Sequence, residues 1–479
     1  MPSKSTIDTL GLPGEPLYFY GCISWSLSRE RLRSVELCAI YALPRMMNKS
    51  DFLHLSTLLD ALLHPLRLSH RLRTSLHRAD VDQRNEILLY AQRAAEGLLG
   101  GGALAFVSVF LVRIGTPNWL IGLYTSLPAL IMMLSVLPAG SLVQRRRDLV
   151  RTVNTARAFY RGLMGCFAFL PWFPGLAAPY LMVGLSSLAA LPHAVFSVAN
   201  TTLLGRVVPP DQRARVLSNR LAINRFVMAF IAILAGFWLE AVAFPLNYQV
   251  LFFGLLISTV ASAAIFAQLR VPPLSSEARK RRKKVHLAQM LPTVRGNASF
   301  QRFLLAALIF RMGTYIPMAL YPIYRVRVLG ATDAWLGSLM TIERALQMAI
   351  FFLLGKLLSR PRYRRWLWIP CLGMGLFPLT TALATTPTML LIPSIISGLM
   401  APGMSVFLSN TLIHTSPDGQ RPTFAAINTF AVQLTAFIGP LLGTLLADII
   451  GIQSALILGA LLRMVGAIVF WRLGVGRRA

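Results

Sequence analysis

The sequence predicts an all-α polytopic membrane protein of about twelve spanning helices, built as two six-helix halves that repeat in parallel. Three observations carry this. Of the 479 residues 55% are hydrophobic and only 14% charged, where a soluble domain carries about 25% charged residues, and the mean hydropathy is +0.60. The apolar residues come in blocks of roughly 20, enough to cross a hydrocarbon layer of ~30 Å at 1.5 Å per residue. The basic residues gather in every second loop between those blocks, as orientation in a bilayer requires.

The blocks place spans near 94–113, 119–143, 153–173, 177–203, 219–241 and 247–269, then near 302–324, 334–357, 366–385, 388–413, 423–448 and 452–472. Residues 1–92 form a basic N-terminal extension without a block of spanning length, 93–270 a first half, 271–300 a basic linker and 301–479 a second half with a short tail. The extension has leucines at helical spacing over 52–76, interleaved with Arg67, His70, Arg71 and Arg73. It reads either as an interfacial helix on an anionic leaflet or as a solvated leader, and Met46 or Met47 is an alternative start. No secretory signal opens the chain, so the first span serves for targeting.

A net charge of +29 raises the question of nucleic acid, but its placement answers it. One side of the spans carries Arg145, Arg146, Arg147 and Arg151, the 279–284 cluster, Lys356 and Arg360, and Arg477 and Arg478; the other carries Arg113, Arg325 and Arg327. This asymmetry puts both termini and the linker in the cytoplasm and gives the linker an anionic-lipid contact. Cys22, Cys38, Cys166 and Cys371 are far apart with no CxxC or CxxH spacing, so no metal site is expected. No P-loop and no GxSxG motif is present, so neither ATP drive, a cofactor nor enzyme activity is expected.

The two halves echo one another at an offset of about 204–216 residues. Val112-Arg113-Ile114 and Trp119-Leu120 return as Val326-Arg327-Val328 and Trp335-Leu336; Met164-Gly165 returns as Met374-Gly375; Pro192 and Asn200-Thr201 return as Pro402 and Asn410-Thr411; Ala222-Ile223-Asn224 returns as Ala426-Ile427-Asn428. Echoes in the same order and direction define a parallel repeat about an axis normal to the membrane.

Twelve spans in a 6+6 parallel repeat, a basic central linker, and basic loops after spans 2 and 8 resemble the major facilitator superfamily over residues 93–475. The first of those loops begins at Gly140 and continues through Gln144, Arg145 and Arg146; the second begins at Gly355 and reaches Ser359 and Arg360. Gln144 and Ser359 stand where the family's loop carries aspartate. Gly439-Pro440 in span 11 resembles a glycine-proline motif that the family's antiporters carry in span 5. The resemblance implies alternating access about a central cavity lined by spans 1, 4, 7 and 10, with these loops as the conformational switch.

Ionisable residues inside spans are costly and so are the site candidates. Glu343 lies about 8 residues past Trp335, ~12 Å deep, with Gln347 one turn on and Arg344 directed elsewhere; it is either a proton-exchanging site or a structural partner of Arg463 or Arg311. His193 follows Pro192 in the middle of span 4, as a titrating group or a packing one. Glu96 and Arg311, 215 residues apart, sit about one turn inside spans 1 and 7 and form either an inter-half ion pair or local pairs. Arg157, Arg161 and Arg225 are expected to snorkel to the nearby face. Asn200, Asn410, Asn224 and Asn428 read as interhelical hydrogen bonds, and Tyr315, Tyr321 and Tyr324 as cavity wall or, in preference, an interfacial belt.

The expected function is secondary active transport of a small organic solute in the cell membrane, with proton coupling and export of amphipathic compounds through a mostly apolar cavity. The alternative is a non-transporting protein of the same fold with a receptor, assembly or lipid-handling role. The chain is expected to act as a monomer.

Overall fold

In lipid, a backbone satisfies its own hydrogen bonds only as a helix or a closed barrel, and this chain takes the first course. A computed structural model describes residues 81–146, 148–173, 175–208, 212–271, 296–357, 368–417 and 421–473. The extension calls over 1–80, the linker cluster 279–284 and Arg360 lie outside the described residues.

The first half comprises α1 (Val81–Gly101), α2 (Ala103–Arg113), α3 (Asn118–Arg145), α4 (Leu149–Gly165), α5 (Ala177–Val207), α6 (Arg213–Ala241) and α7 (Leu246–Ala267). α1 and α2 are one span broken at Gly102, and α4 runs on as a 3-10 turn, Cys166–Trp172. The second half comprises α8 (Ala298–Tyr315), α9 (Asp333–Leu357), α10 (Ile369–Ala382), α11 (Leu391–Thr415), α12 (Arg421–Ile450) and α13 (Ile452–Arg472). α8 continues through Leu320–Ile323 into a π-turn, Tyr324–Val328. Ten of the resulting rods are long and apolar enough to cross a bilayer. The other two, α4 with its 3-10 extension and α10, are the third rods of their halves: α4 carries too many arginines and α10 is short among the described residues.

The packing order repeats in each half. In the first, α6 packs on α1, α1 on α7, α7 on α4, α4 on α5 and α5 on α3; in the second, α12 packs on α8, α8 on α13, α13 on α10, α10 on α11 and α11 on α9. The halves join along two seams, α6 against α9 and α3 against α12, so the packing contacts close into a ring. On α1 the strip Ile87, Ala91, Ala94 and Leu98 is half-exposed and apolar. Glu96 and Gly100 lie on the opposite side, Glu96 against Arg161 of α4 and Gly100 against Met228 of α6.

The first span starts about 13 residues earlier than its hydropathy indicates. Asn85, Gln92 and Glu96 depress the apolar signal, yet all three are buried. Asn85 Nδ2 donates to the Arg270 carbonyl at 2.9 Å, and Gln92 Nε2 donates to Ser262 Oγ at 3.3 Å. Polar residues satisfied by neighbouring helices cost little inside a bundle.

At the α6–α9 seam two backbones meet. A Cβ on Gly337 would stand 2.5 Å from the Ala232 carbonyl oxygen and 3.0 Å from the Gly236 Cα, so only glycine permits this crossing.

Candidate functional site

Charged groups occupy the middle of the bundle. Glu96, Arg157, Arg161, His193, Arg311, Glu343 and Arg463 each lie within about four residues of the midpoint of their own spans. Glu96 is therefore deep, about 15 residues and ~22 Å from the start of α1, not one turn inside the end.

The first half holds Glu96 in a cage of guanidinium groups. Arg93 Nη1 donates to its Oε2, Arg161 Nη2 to its Oε1 at 3.1 Å, and Arg157 Nη2 stands 3.8 Å away. Arg157 also donates to Ser262 Oγ at 2.9 Å and lies over the rings of Phe266 and Phe196, at 4.6 and 5.1 Å from their centroids. Arg220 Nη2 bonds Gln92 Oε1 at 3.1 Å, extending the network to α6. The snorkelling expectation fails here: Arg157 is 0% and Arg161 4% exposed, because the buried Glu96 carboxylate draws both inward. The inter-half pair of Glu96 with Arg311 also fails; Glu96 pairs within its own half, and Arg311 donates to Asn428 Oδ1 at 3.5 Å.

His193 borders this cage as a stacking partner. Its ring lies 4.5 Å from that of Tyr160 at 24° and 6.1 Å from that of Phe196. Asn224 bonds across helices to the Arg93 carbonyl at 3.2 Å, while Asn200 and Asn410 make no side-chain hydrogen bond to the described residues.

In the second half Glu343 has two neutral hydrogen-bond partners and one cationic neighbour, Arg344. Its Oε1 accepts from Ser397 Oγ on α11 at 2.8 Å and from Gln347 Nε2 at 3.0 Å. Neither Arg463 nor Arg311 pairs with it. Arg344 does not turn away: its Nη1 donates to Gln347 Oε1 at 3.0 Å and lies 3.8 Å from Glu343. Arg463 is buried against Thr314 Oγ1, at 3.1 Å, and the Met374 carbonyl, at 2.9 Å. The tyrosines form no belt. Tyr324 is buried and donates to the Ala382 and Ala384 carbonyls, and Tyr321 packs on Phe377 with ring centroids 4.9 Å apart. The reason is that α8 and its continuation run to Val328, which keeps these rings among helices rather than at a lipid edge.

Three of the switch-loop candidates, Gly140, Arg145 and Arg146, lie at the end of α3. Arg145 and Arg146 are exposed, and a Cβ on Gly140 would meet open space. Gly355 lies in the last turn of α9.

The end away from those arginines is closed by a latch that sequence reasoning missed. Arg113 in the first half donates to the Ala331 carbonyl at 2.7 Å and to Asp333 Oδ1 at 3.3 Å in the second. Arg327 in the second donates to the Thr116 carbonyl and, at 2.9 Å, to Asn118 Oδ1 in the first. The two arginines are repeat mates, and each reaches the same two positions of the opposite half: a loop carbonyl and a side chain at the start of the next helix. Asn118 Nδ2 then donates to Asp448 Oδ1 at 2.9 Å, Tyr248 OH to Asp333 Oδ2 at 3.3 Å, and the Ala334 N–H to Glu240 at 3.1 Å. Among the described residues, hydrogen bonds between the halves lie at this end or, for Thr341 to the Ala229 carbonyl at 2.8 Å, between it and the middle. The signal was in the sequence: the echo of Val112-Arg113-Ile114 in Val326-Arg327-Val328, in loops otherwise poor in charge.

Two pseudo-symmetric helical bundles, joined along two seams and latched at one end around a charged centre, define a polytopic membrane protein of the transporter type. The chain belongs to the Major Facilitator Superfamily, whose sequence profile matches residues 97–410 and 362–478, and this membership places it among secondary transporters. The fold is similar to that in the crystal structure of a D-xylose-proton symporter, with 15% sequence identity and a TM-score of 0.61 over 81% of this chain and 97% of that one. No curated protein matches the chain.

Proposed function

We propose that the protein moves a small organic solute across the cell membrane by alternating access, in exchange for protons, with export as the net direction. The observation that carries this is the reciprocal latch of Arg113 and Arg327, polar contacts, most of them part-buried, that join the halves at one end among the described residues. With the basic face and both termini in the cytoplasm, as the loop charges favour, the latched state opens its centre to the cytoplasm and loads solute from there, which is the order an exporter needs.

Glu343 is the proposed proton site. Its hydrogen-bond partners are a serine and an amide, which serve a carboxylate and a carboxylic acid alike, with one arginine, Arg344, at 3.8 Å, whereas Glu96 has three arginines around it. In proteoliposomes, Glu343→Gln is expected to abolish transport driven by a pH gradient while leaving solute exchange without a gradient intact. Gradient-driven transport at the native rate in Glu343→Gln would remove Glu343 from the coupling step.

A further inference from the structure

A cavity of about 570 Å³ lies at the latched end, walled by the first half with Asp333 contributed by the second. Its walls come from helix ends. Arg113 is the last residue of α2, Trp172 the last of the 3-10 turn after α4, and Asp333 the first of α9, while Phe244 lies between α6 and α7. The charged groups at mid-depth, Glu96, Arg161 and Glu343 among them, are on none of these walls. The volume is that of a small-molecule site, about 300–1,000 Å³.

Two features of the wall select a ligand. The first is aromatic. Trp172, Phe173 and Phe244 line the cavity and are 64%, 46% and 54% exposed, which leaves ring surface uncovered. Lipid contact accounts for rings turned outward, but not for rings set around a concave space with an ion pair on its wall. The second feature is the sign of the charge on offer. The Asp333 side chain is 11% exposed and has a donor on each oxygen, Arg113 on Oδ1 and the Tyr248 hydroxyl on Oδ2. The Arg113 side chain is 36% exposed, and its hydrogen bonds run through Nη2 alone, to Asp333 and the Ala331 carbonyl. The Tyr248 hydroxyl is also close to it, and N–H groups of Nε and Nη1 remain for a ligand. The spare polar capacity of the cavity is therefore cationic and donating.

We propose that this cavity binds an aromatic carboxylate from the latched side, with its ring among Trp172, Phe173 and Phe244 and its carboxylate on Arg113, and that the occupant holds the latch closed. A guanidinium suits a carboxylate in charge and geometry, and ring on ring adds to the apolar area buried. Arg113 meets Asp333 only while the halves are latched, so the site is complete in that state alone. A ligand that binds one state better shifts the population toward it. Binding stands without the transport reading; the hold on the latch rests on it.

The test uses the full chain, purified for binding and reconstituted for labelling. Calorimetric titration compares 1-naphthoate with neutral 1-naphthamide, cationic 1-naphthylmethylamine and the saturated acid decahydro-1-naphthoate. Naphthoate is expected to bind about 10-fold or more tightly than each of the other three, through a charge-assisted hydrogen bond or the ring contacts. Trp172→Ala and Phe244→Ala, both at exposed positions, are expected to keep the melting temperature and to weaken naphthoate about 10-fold. In Arg113→Gln naphthoate is expected to lose its advantage over naphthamide. For the latch, a cysteine at Thr116 in a chain whose native cysteines are serine is labelled by an impermeant thiol reagent from the latched side. Naphthoate is expected to slow that labelling about 5-fold or more, and Trp172→Ala to remove the effect. Naphthamide, the amine or the saturated acid binding as tightly as naphthoate overturns the ligand class. Naphthoate binding unchanged in Trp172→Ala and Phe244→Ala, or no binding, overturns the site. Binding lost in both variants, with labelling of the native chain unaffected by naphthoate, upholds the site and overturns its hold on the latch. The same binding in a protein whose Thr116 cysteine is never labelled upholds the site and overturns the opening that the transport reading requires.

Discussion

Replacing Glu96 by glutamine is expected to lower the melting temperature of the purified protein by about 5–10 °C or to prevent its recovery from the membrane, although the two side chains have the same size. The carboxylate is 9% exposed and is the shared partner of Arg93, Arg157 and Arg161. Removing one member of a buried ion cluster leaves its partners uncompensated, which costs about 3–5 kcal/mol in proteins. Here the remaining guanidinium groups also repel one another. Arg157 has no route to water, held by Ser262 and between two phenylalanine rings. The companion experiment is Glu96→Gln with Arg161→Met, which removes one positive charge along with the negative one and is expected to recover part of the loss. A melting temperature for Glu96→Gln equal to that of the native chain would show that the cage is not held by its carboxylate.

Introducing leucine at Gly337 has the second large effect, on conformation rather than folding. The new Cβ would meet the Ala232 carbonyl oxygen at 2.5 Å and the Gly236 Cα at 3.0 Å. Both are backbone atoms of α6, which do not yield as a side chain does. The seam has to part, and the latch beside it, Asp333 with Arg113 and Ala334 with Glu240, parts with it. Overpacking of a fixed contact costs about 1–3 kcal/mol, and 2 kcal/mol shifts a two-state population about 30-fold. Each half keeps its own series of helix contacts, so the protein still folds. Gly337→Leu is expected to transport at less than about a tenth of the native rate and to admit an impermeant thiol reagent to a cysteine at Thr116 from the latched side. Native transport together with an unreactive cysteine at Thr116 would contradict the seam as the closing element.

Much of the fold was legible because the bilayer leaves few solutions. Blocks of spanning length, alternate basic loops and the echo of one half in the other gave the rods, and the ring of packing follows the repeat. Legibility failed where a polar side chain is satisfied by a partner distant in sequence. Hydropathy moved the start of the first span past Asn85 and Gln92, whose partners Arg270 and Ser262 lie on or beyond α7. Arg157 and Arg161 read as snorkelling for the same reason: their partner Glu96 is more than 60 residues away. Glu343, Gln347 and His193 were singled out as candidates from position alone, but the Ser397 hydroxyl that bonds Glu343 carries no signal in a serine-containing span. Arg113 and Arg327 were seen as repeat mates, yet reciprocity across the halves appears only once the ends are brought together.

The latch offers the most direct test of alternating access. Asn118 and Asp448, whose side chains meet at 2.9 Å across the α3–α12 seam, are replaced by cysteine in a chain whose native cysteines are serine, and the pair is joined by a short thiol cross-linker in proteoliposomes. The account predicts that the cross-link forms, that transport stops while it is intact, and that cleaving the linker restores transport. A cross-linked protein that transports at the uncross-linked rate would mean that this end never opens, and alternating access through the latch would be wrong.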